Sequence, residues 1–165
     1  MLSIFKKTNK KAAEEVSYNI LQNAVQIGDD ILLSNHCHDY VVHEKTGLAI
    51  DGGREYQRWV GDFKKHKVVD LTVTDNMPLD EQIQKTLWGT RGVDGLGELK
   101  WVFLKDCTSA HLAAILKSQK KASPHIRRVI GAILYDRMKQ TIDVTDRANV
   151  FLRQDFCVKI GEAMS

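Results

Sequence analysis

Proline and cysteine are scarce: the 165 residues hold two prolines and three cysteines. Two prolines rule out a polyproline rod, and eleven glycines without a repeating period rule out a collagen-like chain. Cys37, Cys107 and Cys157 are odd in number and too widely spaced for a C-x-x-C metal knuckle. They read as reduced thiols in a cytosolic compartment. No apolar run approaches the roughly 20 residues of a membrane-spanning helix, so no membrane partner is expected. Residues 1–7 show nothing like the apolar stretch of a secretory signal. Neither sign of charge dominates, with 24 Lys and Arg against 21 Asp and Glu. A dedicated nucleic-acid binder is usually more basic, or gathers its charge on one face.

What is present is the make-up of an ordinary globular chain, 43% hydrophobic and 27% charged. Val16, Ile20, Leu21, Ala24 and Val25 fall at the spacing of one helical face, predicting a helix over 11–27. Residues 31–75 read as strands: Ile31–Leu33, Tyr40–Val42, Leu48–Ile50, Arg54–Val60 and Lys67–Thr74. Turns at 44–47 and 51–53 separate them. Pro78, Asp80 and Glu81 open a helix. Four glycines between 89 and 97 mark a loop, and Leu99–Leu104 reads as a central strand. Asp106, Thr108 or Ser109 caps a helix through Leu112 and Leu116. Ser123-Pro124 then opens a helix whose stripe is Ile126, Val129, Ile130, Ile133, Leu134 and Met138. Residues 141–165 fit strand and helix equally.

The predicted fold class is therefore α+β: an N-terminal helix, a small antiparallel sheet, then a mainly helical C-terminal half with one central strand. One domain, 1–165, is expected. If it divides, the lobes are 11–88 and 98–165, joined by the Gly-rich loop 89–97.

Two segments carry a resemblance. Asn35-His36-Cys37-His38-Asp39-Tyr40-Val41, with Gly47, Ile50-Asp51-Gly52-Gly53, Tyr56 and Arg58, resembles small phage-encoded proteins with an H-x-H-D-[FY]-V … V-D-G-G-x-x-Y-x-R pattern. Trp88-Gly89-Thr90, Gly92, Asp94-Gly95, Leu99, Leu104-Lys105-Asp106-Cys107, His111-Leu112 and Ile115-Leu116 are similar to a segment of uncharacterised tailed-phage proteins. The two span about residues 31–134. The resemblance implies a phage accessory protein in the host cytoplasm. Relatives of the first segment often carry cysteine pairs like a zinc ribbon. Here Glu44-Lys45-Thr46-Gly47 stands at the C-x-C-G position, so a cysteine-based zinc site is not expected and the fold should persist without the metal.

Several groups carry candidate chemistry. Asp51, Arg54, Tyr56 and Arg58 surround a glycine turn, where backbone N–H groups and guanidinium can hold a phosphate and a ring can stack a base. Arg91 lies in the Gly-rich loop. Residues 117–139 hold Lys117, Lys120, Lys121, Arg127, Arg128, Arg137 and Lys139 against Asp136 alone, a patch able to steer phosphates or an acidic partner. Each has a blander account as a tight turn, a loop or a solvated helix face. His36 and His38 share one strand face and, with Asp51, form an alternative set for one divalent metal in a phosphodiester hydrolase. Asp106, Cys107 and His111 lack an orienting third group, so no catalytic residue is assigned and the reading leans away from an enzyme.

The leading expectation is a non-catalytic module, without cofactor, binding a host or defence protein or a nucleic acid. The ligand residues would be Asp51, Arg54, Tyr56, Arg58, Arg91, Arg127 and Arg128. The alternatives are the metal-dependent hydrolase and a sponge for a small signalling nucleotide. Self-association into a homo-oligomer stays open.

Overall fold

A computed structural model describes residues 17–92 and 94–141. The chain is mixed α and β, with three antiparallel sheets and three α-helices among the described residues. The first sheet is built on β1 (Ile20–Ile27), which pairs with β2 (Asp30–Ser34) on one side. On its other side β1 pairs in succession with β6 (Val68–Asp70) and β7 (Val73–Thr74). The second sheet is the meander β3 (Val41–Val42), β4 (Ala49–Asp51) and β5 (Arg58–Val60). Helix α1 (Leu79–Lys85) leads into a hairpin of β8 (Leu87–Thr90) and β9 (Lys100–Phe103). Helices α2 (Ser109–Ser118) and α3 (124–141) follow. None of the described helices is long and apolar enough to cross a membrane.

The expected helix over 11–27 is corrected: residues 20–27 form the central strand β1, and 11–16 lie outside the described residues. Its burial explains the misreading. Gln22, Asn23, Ala24 and Val25 are buried in succession, because both faces of β1 are covered. A strand covered on both sides loses the alternation that identifies a half-buried strand. Two of its inward residues are also polar. Gln22 donates Nε2 to the Leu71 and Lys85 carbonyls and accepts from Leu87 N–H, stitching the β1 sheet to the β8–β9 hairpin. Asn23 donates to the Asp51 and Tyr56 carbonyls, tying the two larger sheets together.

The strand expected over 67–74 is two strands, β6 and β7, with a register shift opposite Ile20 and Gln22. Leu71 and Val73 are buried, whereas Val69 is exposed. The mainly helical C-terminal half with one central strand is not supported. β9 is one arm of a two-stranded hairpin rather than the centre of a sheet. The uncertain segment 142–165 lies outside the described residues. Both cap expectations fit: Thr108 Oγ1 accepts from His111 N–H at α2, and Ser123 Oγ accepts from Ile126 N–H at α3.

Three apolar clusters form the core. Val25, Ile27, Leu32, Leu48 and Ile50 fill the space between the two larger sheets. Leu104, Leu112, Ile115, Val129, Ile130 and Ile133 join α2 to α3. Between them, Ala24, Leu71 and Leu87 pack with Leu33, Trp101 and Phe103. The hairpin is thereby wedged against β1 and β2, and a cleft opens where it meets the start of α3.

Candidate functional site

The cleft has a volume of about 280 Å³. Leu21, Leu33, Leu87, Trp88 and Trp101 give it an apolar wall, and Ser34, Asn35, Arg54, Ser123 and His125 edge it with polar groups. Among the described residues no carboxylate lines it, and Arg54 is its one charged residue. The groove between α1 and α3 differs: it carries Asp80 and Asp136 beside Lys105 and Arg137, charges of both signs.

Arg54 owes its place to the two glycines before it. Gly52 (φ +107°) and Gly53 (φ +55°) lie in the left-handed region that disfavours side chains. They are also packed too closely to carry one. A Cβ on Gly52 would lie 2.0 Å from the Tyr56 carbonyl oxygen, and one on Gly53 would lie 2.5 Å from the His36 carbonyl carbon. Gly53 N–H donates to Ser34 Oγ at 3.0 Å, and that hydroxyl donates to the Asp39 carbonyl. The loop 35–39 and the glycine turn thus brace each other, and Arg54 projects beyond the brace. Among the described residues its guanidinium has no hydrogen-bond or ion-pair partner.

The residues around it hold the turn. Asp51 is buried and accepts from Arg58 at 2.5 Å and from the Tyr56 hydroxyl at 3.2 Å. The same hydroxyl reaches the Cys37 carbonyl at 3.0 Å. Burial first, and then the Asp51 carboxylate, push the Tyr56 phenol above its ordinary pKa. His36 and His38 stay exposed on the braced loop. No three His, Cys, Asp or Glu side chains gather as a metal site among the described residues, so the alternative set His36, His38 and Asp51 is not brought together.

His125 forms the facing wall and is 7% exposed. Thr86 Oγ1 lies 2.6 Å from the Gln82 carbonyl and must donate there. The same oxygen, 3.1 Å from His125 Nε2, therefore accepts from that nitrogen. Burial, then the nearby Arg128 and Arg54 guanidiniums, lower the pKa to about 4. At neutral pH the ring is uncharged, its proton sits on Nε2, and Nδ1 is a bare acceptor. Nδ1 is buried with no hydrogen-bond partner. Pro124 has no N–H, Ile126 N–H is bonded to Ser123 Oγ and Arg127 N–H to the Ser123 carbonyl, so the first turn of α3 presents the His125 N–H and the positive end of the helix dipole.

The remaining candidate arginines are engaged within the fold. Arg127 donates to the Gln119, Lys120 and Ala122 carbonyls and closes the α2–α3 connection. Arg128 donates to Gln82 Oε1 at 2.6 Å. Arg137 donates to the Lys105 and Cys107 carbonyls. Arg91 reaches the Gly97 carbonyl across the Gly-rich loop. Cys107 is buried in the α2–α3 core, which raises its thiol pKa and keeps it protonated, the opposite of an activated nucleophile.

Of the sequence candidates, the structure places only Arg54 in the cleft. Sequence reasoning passed over His125, Asn35 and Trp101 as lining residues of one cleft. One signal was available for His125, a histidine in the first turn of a capped helix, outside the apolar stripe. No family profile, curated protein or solved structure matches the chain.

Proposed function

We propose that the chain is a phage accessory protein that binds without catalysis, and that its cleft takes an anionic group carried by a host or defence component. One observation carries the reading: among the described residues Arg54 is the only charged one on a cleft free of carboxylates, and it alone of the candidate arginines has no partner there. A cation left unpaired beside an apolar wall is poised for an incoming anion, since the pairing forms partly out of water. The helix start opposite it favours the same charge. The hydroxyls at the rim are engaged, Ser34 with Asp39 and Gly53, Ser123 with the α3 cap. Among the described residues that leaves no nucleophile and base in hydrogen-bond contact in the cleft, which supports binding over catalysis. The phage setting rests on the two sequence segments.

The test is a native pull-down of the untagged protein from infected cells, with protein, nucleic acid and small molecules scored together. Wild type is expected to carry an anionic component that Arg54→Glu loses. Identical recoveries from the two would remove the reading.

A further inference from the structure

The anion is one half of what the cleft offers; the apolar wall is the other. Gly89 lies directly across from Trp101 in the β8–β9 pairing. A Cβ on Gly89 would meet the Trp101 ring at 3.0 Å. The indole therefore packs close to the Gly89 backbone, where a side chain would collide with it and with Leu99. Trp101 is only half-buried and lines one side of the cleft with Leu33, while Trp88, on the other face of the hairpin, packs against the α2–α3 core. Arg54 and the first turn of α3 make the other side of the cleft. An aromatic surface is thus set within one small cleft of a cationic one. The volume, about 280 Å³, sits at the lower edge of small-molecule sites and suits one ring with one charged group, not a duplex or a helix. Between the two surfaces lie a polar amide without a bonded partner, Asn35, and His125, whose bare Nδ1 can accept from a hydroxyl or amino group but cannot donate.

Resting on the anion-binding reading above, we infer that the cleft binds a single phosphorylated nucleoside, with its base against Trp101 and its phosphate between Arg54 and the first turn of α3. The base supplies the planar ring. The phosphate supplies the charge, and the sugar or base supplies the donor that the bare imidazole nitrogen lacks. An inorganic anion would leave the aromatic wall uncovered, and an uncharged nucleoside would leave Arg54 unpaired. The phosphate can belong to a free nucleotide or to the 5′ end of a strand, and the chemistry at the cleft is the same.

The experiment is calorimetric titration of the full chain, with tryptophan emission followed in parallel. The probes are the four nucleoside 5′-monophosphates, their nucleosides, ribose 5-phosphate and inorganic phosphate. At least one nucleotide is expected to bind about fivefold or more tighter than both its nucleoside and ribose 5-phosphate, as base stacking on an aromatic ring should give. Its binding should change the indole emission. Arg54→Ala should reduce that nucleotide to the affinity of its nucleoside. Trp101→Leu should reduce it to that of ribose 5-phosphate. Because Trp101 also packs in the core, its fold is checked by circular dichroism, and the wild-type series decides the matter without it. Ribose 5-phosphate or phosphate binding as tightly as every nucleotide, in an Arg54-dependent way, overturns the nucleotide and leaves the anion reading standing. No Arg54-dependent binding of any phosphate overturns the nucleotide directly, and the pull-down then judges the anion reading by itself. A 5′-phosphorylated oligonucleotide that competes with the bound nucleotide supports a strand end as the source. Failure to compete supports the free nucleotide.

Discussion

The glycine turn at 51–58 and the α2–α3 pair are both rich in arginine, and they handle it differently. In the helix pair the guanidiniums turn inward onto backbone carbonyls: Arg127 onto the loop that joins the helices, Arg137 onto the turn before α2. Such carbonyls occur where helices and turns end and leave acceptors without an intrahelical partner. In the glycine turn one arginine, Arg58, is held by a buried carboxylate, while Arg54, four residues earlier, has no hydrogen-bond or ion-pair partner among the described residues. The comparison shows that a cluster of arginines in a sequence counts charges but not available charges. Availability depends on whether unsatisfied acceptors lie within reach.

The largest expected effect comes from breaking the turn. Gly52→Ala should destabilise the protein by about 3 kcal/mol or more, because the added Cβ meets backbone and the positive φ is strained. Urea denaturation checks it; a loss under about 1 kcal/mol would mean that the turn is not the rigid brace described above. Arg58→Ala comes next. It leaves the buried Asp51 carboxylate with the Tyr56 hydroxyl alone, at a cost of about 2 kcal/mol, moderated because the Arg58 side chain is itself largely in water. Stability equal to wild type would show that the carboxylate finds water instead.

The cleft should reveal itself in acid. His125 takes its proton near pH 4 in the folded protein and near 6.5 when unfolded. Between those values the unfolded chain binds more protons, so stability is whole above about pH 6.5, declines as the pH falls and levels off below about pH 4. The loss is on the order of 3 kcal/mol. Denaturation midpoints measured across that range should slope for wild type and be flatter for His125→Gln. Equal slopes would mean that the ring is already protonated in the fold.

The smallest effect sharpens the contrast most. Arg137→Ala should lose about 1–2 kcal/mol, since two backbone carbonyls lose their charged donor. Arg54→Ala should stay within about 0.5 kcal/mol of wild type, as expected for an unpartnered surface residue. Thermal melts of the pair check this. A large loss at Arg54 would show that it is another staple, and the cleft would lose its free cation.

Much of the local structure was legible in the residues. The Ser123-Pro124 start of α3, its buried Val129, Ile130 and Ile133 stripe and the Thr108 cap of α2 follow from short-range rules that depend only on neighbours in sequence. The same holds for the turn at 44–47 between β3 and β4 and for the glycines 52 and 53 that open the β4–β5 connection, whereas the segment that carries His36 and His38, read as strand, is a turn. The strand β1 was not legible, because its Gln22 and Asn23 are inward polar residues whose partners lie on distant segments. The site was legible only as a turn with an arginine near it. Asp51, Tyr56 and Arg58 look like binding chemistry in the sequence and act as a brace in the fold, where Asp51 is covered and draws the other two toward it.

Sequence alone determined the helix α3, its cap and the glycines that permit the 51–58 turn, because backbone sterics and helical periodicity act over a few residues. Tertiary structure decided that Arg54 is free while Arg127 and Arg137 are bound, and that Trp101, Arg54 and His125 share one cleft. Apart from the Arg127 contacts, which reach back only five to eight positions, those outcomes turn on which carbonyls, carboxylates and rings arrive from distant parts of the chain, and a hydrogen bond or a shared wall is settled by distance in space.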